Sequence, residues 1–497
     1  MNAYAFFSRD FPRHSGSIFL QDGDRSHTYA DLERETARYA QVLAGLGLSP
    51  GDRVAAQVEK SPQAFFLYLA TLRAGLAFLP LNTAYKQGEL EYFLGDAEPR
   101  VVVCDPKAED LFRKLLAEKP GVRLLTLGEG NQGSLSEAAG KSHPEFATVP
   151  RSSDDLAVIL YTSGTTGRSK GAMVTHGNLT SNAETLRLHW RITGQDVLIH
   201  ALPAFHIHGL FVALHPLLLA GARILMHRKF DARAILADLP RATLLMGVPT
   251  FYVRLLAEPG LTRAACARMR LFVSGSAPLL METFEAFRER TGHTILERYG
   301  MSEAGMITSN PYDGERRGGT VGMPLPGVEL RVVGPNLKPM PFDMPGDIQI
   351  RGPNVFKGYW RMPEKTKEEF TEDGWFKTGD VGTWTWGGWI SISGRARDLI
   401  ISGGYNVYPK EIELALDELP GVEESAVIGV PDADFGEAVV AVIVPKKGST
   451  LDSAGIIAKM KASLANYKVP KRVHVVEELP RNTMGKVQKN KLREMFG

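Results

Sequence analysis

Apolar residues recur at helical spacing through LERETARYAQVLAGLG, after the lead-in His27, Thr28 and Tyr29, and the run closes on glycine. The spacing predicts a helix within 27–47. A short strand is expected over Asp52 to Val58, a second helix over 62–75 and an apolar strand fragment at 78–80. A helical stretch at 89–96 and the strand VVVC at 101–104 continue the alternation. It returns between 155 and 247. LAVILYT reads as a strand before a glycine turn, His176 to Trp190 as a helix, and DVLIHAL as a strand. After a second apolar helix come the strands ARILMH and ATLLMG, separated by a short polar helix. These strands are runs of Leu, Ile and Val without strict alternation, as expected when both faces of a sheet are covered. Crossover helices would supply the cover, so this part predicts an α/β fold.

After about residue 320 the texture changes. GVELRVV, DIQIRG and GGWISISG carry period-two patterns bounded by Gly, Pro and Asp, which predict smaller mixed or antiparallel sheets. From Asp398 the order is strand, helix 409–418, strand SAVIGV, strand VVAVIVP, helix 453–465 and strand RVHVVE. About 100 residues is enough for a separate α+β domain. The polar sequence GRARD at 394–398 marks the expected boundary, giving a large N-terminal domain of several subdomains over 1–396 and a small mobile α+β domain over 397–497.

Composition narrows the function. The 497 residues are 44% hydrophobic and 23% charged, which excludes wholesale disorder. Lys and Arg number 58 against 56 Asp and Glu, a balance that does not favour nucleic-acid binding. Two cysteines, Cys104 and Cys266, cannot build a disulfide framework or a structural metal set and suit a reducing compartment. The apolar patch near the start is broken by Arg9 and Asp10, too short for a secretory core. The stretch from Gly209 to Ala222 is shorter than the ~20 residues of a membrane helix. A cytoplasmic protein without a transmembrane segment is expected; no feature reports its oligomeric state. Glycine numbers 50, and its excess over the average clusters at 164–171, 300–305, 314–327, 374–404 and 482–485, as expected where backbone turns tightly or approaches a ligand.

The strongest local signal is YTSGTTGRSKG, from Tyr161 to Gly171. Gly164, Gly167 and Gly171 expose backbone N–H groups, Thr162, Ser163, Thr165 and Thr166 offer hydroxyls, and Lys170 adds a mobile cation, the composition of a phosphate loop. The spacing is not that of GxxxxGK[ST]. A Ser- and Gly-rich surface linker is the plainer alternative.

The loop resembles the signature of the acyl-adenylate-forming enzymes, which include acyl-CoA synthetases, 4-coumarate ligases and luciferases. Further motifs follow in the same order. Ser274-Gly275-Ser276-Ala277-Pro278 resembles the adenine-side loop. Glu297-Arg298-Tyr299-Gly300-Met301-Ser302-Glu303 resembles the segment with the aromatic residue over adenine and the magnesium-side glutamate. Trp375 to Asp380 and Gly394-Arg395 resemble the ribose and hinge motifs, and Pro480 to Lys489 the catalytic-lysine motif. The resemblance implies that a carboxylate attacks the α-phosphate of ATP to give acyl-AMP and pyrophosphate, and that the coenzyme A thiol then displaces AMP. It makes Lys486, Thr165, Glu303 and His206 the catalytic candidates, Glu303 and Thr165 the Mg2+ ligands, and Asp380 the acceptor from both ribose hydroxyls. Arg397 would be the hinge that brings Ser402, Gly403 and Gly404 toward the thioester channel. Plainer roles are a helix residue for Glu303, a solvated cation beside Lys489 for Lys486, a core ring for Tyr299 and a turn cap for Asp380.

GVPTFYVRLL, RYGMSE, GPNVFKGYWRMPEKT and LPRNTMGKVQKN most resemble malonyl-CoA synthetases. That resemblance implies that Arg254 binds the distal carboxylate of malonate, helped by His206, His208 and Met306. The departure at EAGM bears on chain length and on tolerance for methylmalonate. A synthetase for a medium-chain or aromatic monocarboxylic acid is the alternative. A luciferase-like oxygenase or carrier-loading domain is another; a nonenzymatic binder would be expected to lose Lys486, Glu303 or the loop.

Overall fold

The strand Val101–Cys104 shows why its apolar run does not alternate: Val101 and Val103 face one core, Val102 and Cys104 another. The computed structural model describes residues 1–162, 169–402, 405–432, 435–464, 466–482 and 485–497. Packing divides the chain into one unit of Met1–Glu329 with Arg351–Gly374, and a second of Leu330–Ile350 with Trp375–Gly497.

Among the described residues, the first unit has a six-stranded and a nine-stranded sheet. The six-stranded order is Arg123–Thr126, Val101–Cys104, Arg53–Gln57, Ala77–Pro80, Leu156–Thr162 and Lys170–Thr175, parallel except for the last pair. In the nine-stranded sheet, Leu296–Met301, Leu271–Ser274, Leu244–Gly247, Val197–His200, Arg223–Met226 and Ile18–Asp22 run parallel, and antiparallel strands close both margins. Helix Pro62–Arg73 lies in a core shared by the two sheets, and each of its residues is buried. Ser61 starts it by accepting the Ala64 N–H, and Pro62 occupies the first turn, where its missing N–H costs nothing. Helix Tyr29–Gly45 has a reciprocal cap between Thr28 and Asp31.

The second apolar helix expected before ARILMH is present but short, and a different turn precedes it. The stretch forms a π-helical turn, His208–Val212, followed by the short helix His215–Ala220, with Pro216 in its first turn. Proline has no N–H to continue a preceding helical ladder.

In the second unit, an antiparallel sheet runs Glu329–Val333, Gly346–Arg351, Phe376–Trp384 and Ile390–Arg395, its outermost Glu329 and Arg351 grouping with the first unit. A further sheet pairs the long strands Val422–Asp432 and Gly436–Pro445, with Ile400–Ser402 and Arg472–Val475 beside the second of these. Val427 and Ala441 face one core while Ile428 and Val440 face the other. Packing thus groups 330–350 and 375–396 with the C-terminal residues, ahead of the 396/397 point.

Asp196 anchors the nine-stranded sheet. Buried just before Val197, it accepts from Arg270 Nε and Nη2 at 2.7 Å each, from Thr243 Oγ1 at 2.8 Å and from the Thr193 N–H at 2.8 Å. Burial opposes its charge, but the Arg270, Thr193 and Thr243 hydrogen bonds outweigh that and hold the carboxyl below its usual range. Its contribution is therefore complete above the ordinary carboxylate range and is lost as pH falls through the lowered folded value. Asp196→Ala strands Arg270 and should cost about 3–5 kcal/mol in urea unfolding at neutral pH. A change no larger than that of an exposed pair would remove Asp196 from this role.

Candidate active site

The strands flanking 163–169 are antiparallel neighbours, with Thr162 and Lys170 as Cα partners. The phosphate-loop sequence therefore joins two strands of a hairpin, whereas GxxxxGK[ST] leads from a strand into a helix. Ser163, Gly164, Thr165, Thr166 and Gly167 lie outside the described residues. Thr162 Oγ1 donates to Glu303 Oε1 at 3.2 Å, and the Tyr359 hydroxyl donates to the same oxygen at 3.2 Å. Lys170 is buried, with Nζ 3.4 Å from Glu369 Oε1 and 4.3 Å from the centre of the Tyr359 ring. Tyr359 thus holds the acidic group with its hydroxyl and the ammonium with its face. Sequence reading assigned no role to Tyr359 or Glu369. The only signal was the tyrosine in GYWRMPEKT, and its partner Glu303 is remote in the chain.

Ser274 and Glu297 are partners on adjacent parallel strands. Glu297 Oε1 accepts the Leu279 N–H at 3.1 Å and its carbonyl accepts Asn310 Nδ2 at 3.0 Å, so this residue pins the turn carrying Gly275, Ser276 and Ala277. Ser276 adopts φ 70°. Tyr299, Gly300, Met301 and Ser302 follow half-buried, and Gly300 is required because a Cβ there would lie 2.3 Å from the Gly305 carbonyl. Met306 is buried, its N–H bonded to Asn182 Oδ1 at 3.1 Å.

Between these elements lies a buried cluster of donors. Arg298 is 3% exposed, and among the described residues its Nε and Nη2 have no hydrogen-bond partner. Burial pushes its guanidinium down to about 9, a penalty that a bound anion would remove. A Cβ at Gly275 would stand 2.5 Å from the Arg298 Cζ, so glycine makes the space for the guanidinium. His208, also buried, has Nδ1 3.2 Å from Ser276 Oγ, and its Nε2 has no partner among the described residues. Burial and then the Arg298 charge hold His208 well below its usual pKa, so the ring is neutral. With Ser276 donating to Nδ1, the proton sits on Nε2, a donor ready for an anion. The Ser274 hydroxyl is likewise buried without a partner among the described residues. His206 is half-buried, with Nδ1 accepting the His208 N–H at 3.2 Å. Arg254 stands apart from this picture. It is exposed on helix Pro249–Leu256, with its guanidinium 6.0 Å from the Phe230 ring centre.

In the second unit, buried Asp380 pairs with Arg395 Nε at 2.9 Å, and Arg395 Nη1 donates to the Thr378 carbonyl at 3.0 Å. Arg397 occupies the short turn Ala396–Asp398, its side chain outside the described residues. Ser402 is buried, and Gly403 and Gly404 lie outside the described residues. Lys486 is exposed, in a turn closed by its N–H to Asn482 Oδ1 at 2.9 Å and by the Asn482 N–H to its carbonyl at 2.9 Å.

The pattern of AMP-binding enzymes matches residues 7–360, and that of the AMP-binding enzyme C-terminal domain matches 411–486. The chain belongs to the AMP-binding enzyme family. It is similar to ATP-bound MatB from Rhodopseudomonas palustris, 54% identical, with TM-score 0.97 over 100% of this chain and 99% of that one. A feruloyl-CoA synthase of an Amycolatopsis species is 37% identical, covering 96% of each chain. A mitochondrial malonate–CoA ligase of Bos taurus is 36% identical, covering 98% of this chain and 89% of its own. This AMP-binding enzyme is thus an AMP-forming acid–thiol ligase, with ATP and coenzyme A as substrates. Among its described residues no helix is long and apolar enough to cross a membrane.

Glu303→Ala removes the acceptor shared by Thr162 and Tyr359. It should lower ATP-dependent adenylate formation at least about a hundredfold, the scale of losing a few kcal/mol of charge stabilisation. Pyrophosphate exchange measures this; near-normal exchange in a folded variant would make Glu303 structural only.

Proposed function

We propose that this chain joins malonate to coenzyme A through malonyl-AMP, and that the second carboxylate of malonate is received by Arg298 and His208. The observation that carries this reading is the buried Arg298 guanidinium, whose Nε and Nη2 have no hydrogen-bond partner among the described residues. Identity does not separate the relatives, since those named for feruloyl-CoA and for malonate stand at 37% and 36%. A planar guanidinium beside a neutral imidazole donor suits a carboxylate, while an apolar or aromatic tail would leave the cation desolvated and unanswered. Methylmalonate presents the same second anion and fits the same donors.

One malonate carboxylate oxygen attacks the α-phosphorus of ATP and the α–β bond breaks, releasing pyrophosphate. The coenzyme A sulfur then attacks the acyl carbon and AMP leaves. Tyr299 and the 274–277 turn serve the adenine, Asp380 and Arg395 the ribose and phosphate side, and Thr162, Lys170 and the 163–167 residues the phosphates. Glu303 and the hydroxyls of the phosphate loop are hard oxygen donors of the kind Mg2+ accepts together with substrate phosphates. Such an ion would supply neutralisation of phosphate charge. Lys486 stabilises the meeting of carboxylate and α-phosphate, and a turn at Arg397 exchanges it for Ser402, Gly403 and Gly404 in the thioester step.

Arg298→Ala should lower kcat/KM for malonate by roughly tenfold to a hundredfold, the loss of a charge-assisted contact, and affect propionate much less. Arg254→Ala, measured beside it, tests the exposed arginine for the same role. A larger and malonate-selective loss at Arg254 would transfer the role there, and equal losses for both acids at Arg298 would sink the dicarboxylate reading.

Lys486→Ala should block adenylation while leaving thioester formation from supplied malonyl-AMP largely intact, since its charge is needed only as two anions meet. Separate rates for the half-reactions check this. Comparable losses in both would end the division of labour.

A further inference from the structure

His200 lies in DVLIHAL, outside the nucleotide and substrate motifs. It ends the strand Val197–His200 and is 1% exposed. Its Nε2 is 2.8 Å from the Gly209 carbonyl oxygen, so Nε2 carries the proton and donates. Its Nδ1 has no partner among the described residues. Burial, with the charge of Lys60 next, holds the ring well below its usual pKa and keeps it neutral. The Phe65 ring packs edge-on at 5.6 Å. Its backbone is fixed as well: Lys60 Nζ donates to the His200 and His227 carbonyls at 2.7 Å each.

Gly209 follows His208 in the π-helical turn. A Cβ at Gly209 would lie 2.0 Å from the Pro203 carbonyl oxygen, so the turn passes at the limit of approach. Within it the Ala213 N–H reaches the His208 carbonyl at 3.0 Å, the wide π-type bond. Such turns are rare because their geometry is unfavourable, and an outside donor on the Gly209 carbonyl supplies support that the turn lacks.

We propose that His200 is a positioning residue for substrate recognition, holding the Gly209 carbonyl so that His208 stays against Ser276 with Nε2 presented beside Arg298. This rests on the reading that Arg298 and His208 receive the second carboxylate. Without the donor, the buried Gly209 carbonyl loses its partner and the turn relaxes, which harms only an acid with a second anion.

The test compares His200→Phe, which keeps a ring against Phe65 but removes the donor, with His200→Gln, whose amide N–H can reach Gly209. His200→Phe should raise KM for malonate roughly tenfold while KM for propionate and the Kd of ATP by calorimetry stay within about twofold, because only the His208 contact moves. His200→Gln should return KM for malonate to within about threefold of wild type as the hydrogen bond is restored. Should His200→Phe yield no folded protein, His200→Asn, whose shorter amide falls short of Gly209, serves as the donor-loss variant. In a His208→Ala background, His200→Phe should not change the malonate-to-propionate ratio further. Equal losses for the two acids, weakened ATP binding, no rescue by glutamine, or an additive effect on His208→Ala would each overturn the positioning role. If His208→Ala and Arg298→Ala leave the acid ratio unchanged, the substrate reading itself falls; if they lower it and His200→Phe does not, only the positioning role falls.

Discussion

A guanidinium in the protein interior without a hydrogen-bonded carboxylate is unstable unless something else offsets its desolvation, and among the described residues Arg298 on the nine-stranded sheet is in that position. Its neighbours are arranged around it. Gly275 leaves the space the guanidinium occupies, Ser276 has a left-handed backbone with its hydroxyl against His208, and His208 opens a π-helical turn. These residues come from strand ends and the turns after them, where parallel sheets place their ligands because the crossover connections leave a crevice there. Burial of this cation works against the empty fold, and on the proposed reading the second anion of the acid would supply what the cation lost on burial.

The phosphate side obeys a related rule with a different solution. Lys170 is as buried as Arg298 but is compensated by Glu369 and by the face of Tyr359, while the hydroxyl of the same tyrosine reaches Glu303. Charge of both signs is thereby kept ready beside a hairpin whose ends are locked in register by Thr162 and Lys170. A ligand with several negative oxygens can exchange with one carboxylate without leaving any cation stranded. Arg298 differs: among the described residues no carboxylate hydrogen-bonds to it, and Glu297 acts on it only through its charge.

Much of the fold was legible in the chain. LAVILYT corresponds to the strand Leu156–Thr162, VVVC to Val101–Cys104, and the stretch from His176 to Trp190 to the helix His176–His189, because burial on one or two faces writes its period directly into residue order. The second apolar helix is present as His215–Ala220, but the π turn ahead of it was not legible, because apolar content alone does not distinguish helix from π turn. The grouping of 330–350 and 375–396 with the C-terminal residues was also hidden, since it depends on which sheets pack together and not on local composition.

The sequence by itself determined the family, the order of the motifs and the chemical types at the nucleotide site, because glycines, hydroxyls and lysine at fixed spacing act through local backbone geometry. It also supplied the expectation of a cation for a dicarboxylate. Which arginine is buried was decided only by the tertiary structure. Arg254 and Arg298 both lie in motif-like stretches, but one sits exposed on a short helix and the other on a strand covered by its neighbours. Tyr359 and Glu369 became visible only once distant segments met, for a contact between residues far apart in the chain leaves no period in the sequence; His200 became visible only once the π turn brought the Gly209 carbonyl to its ring.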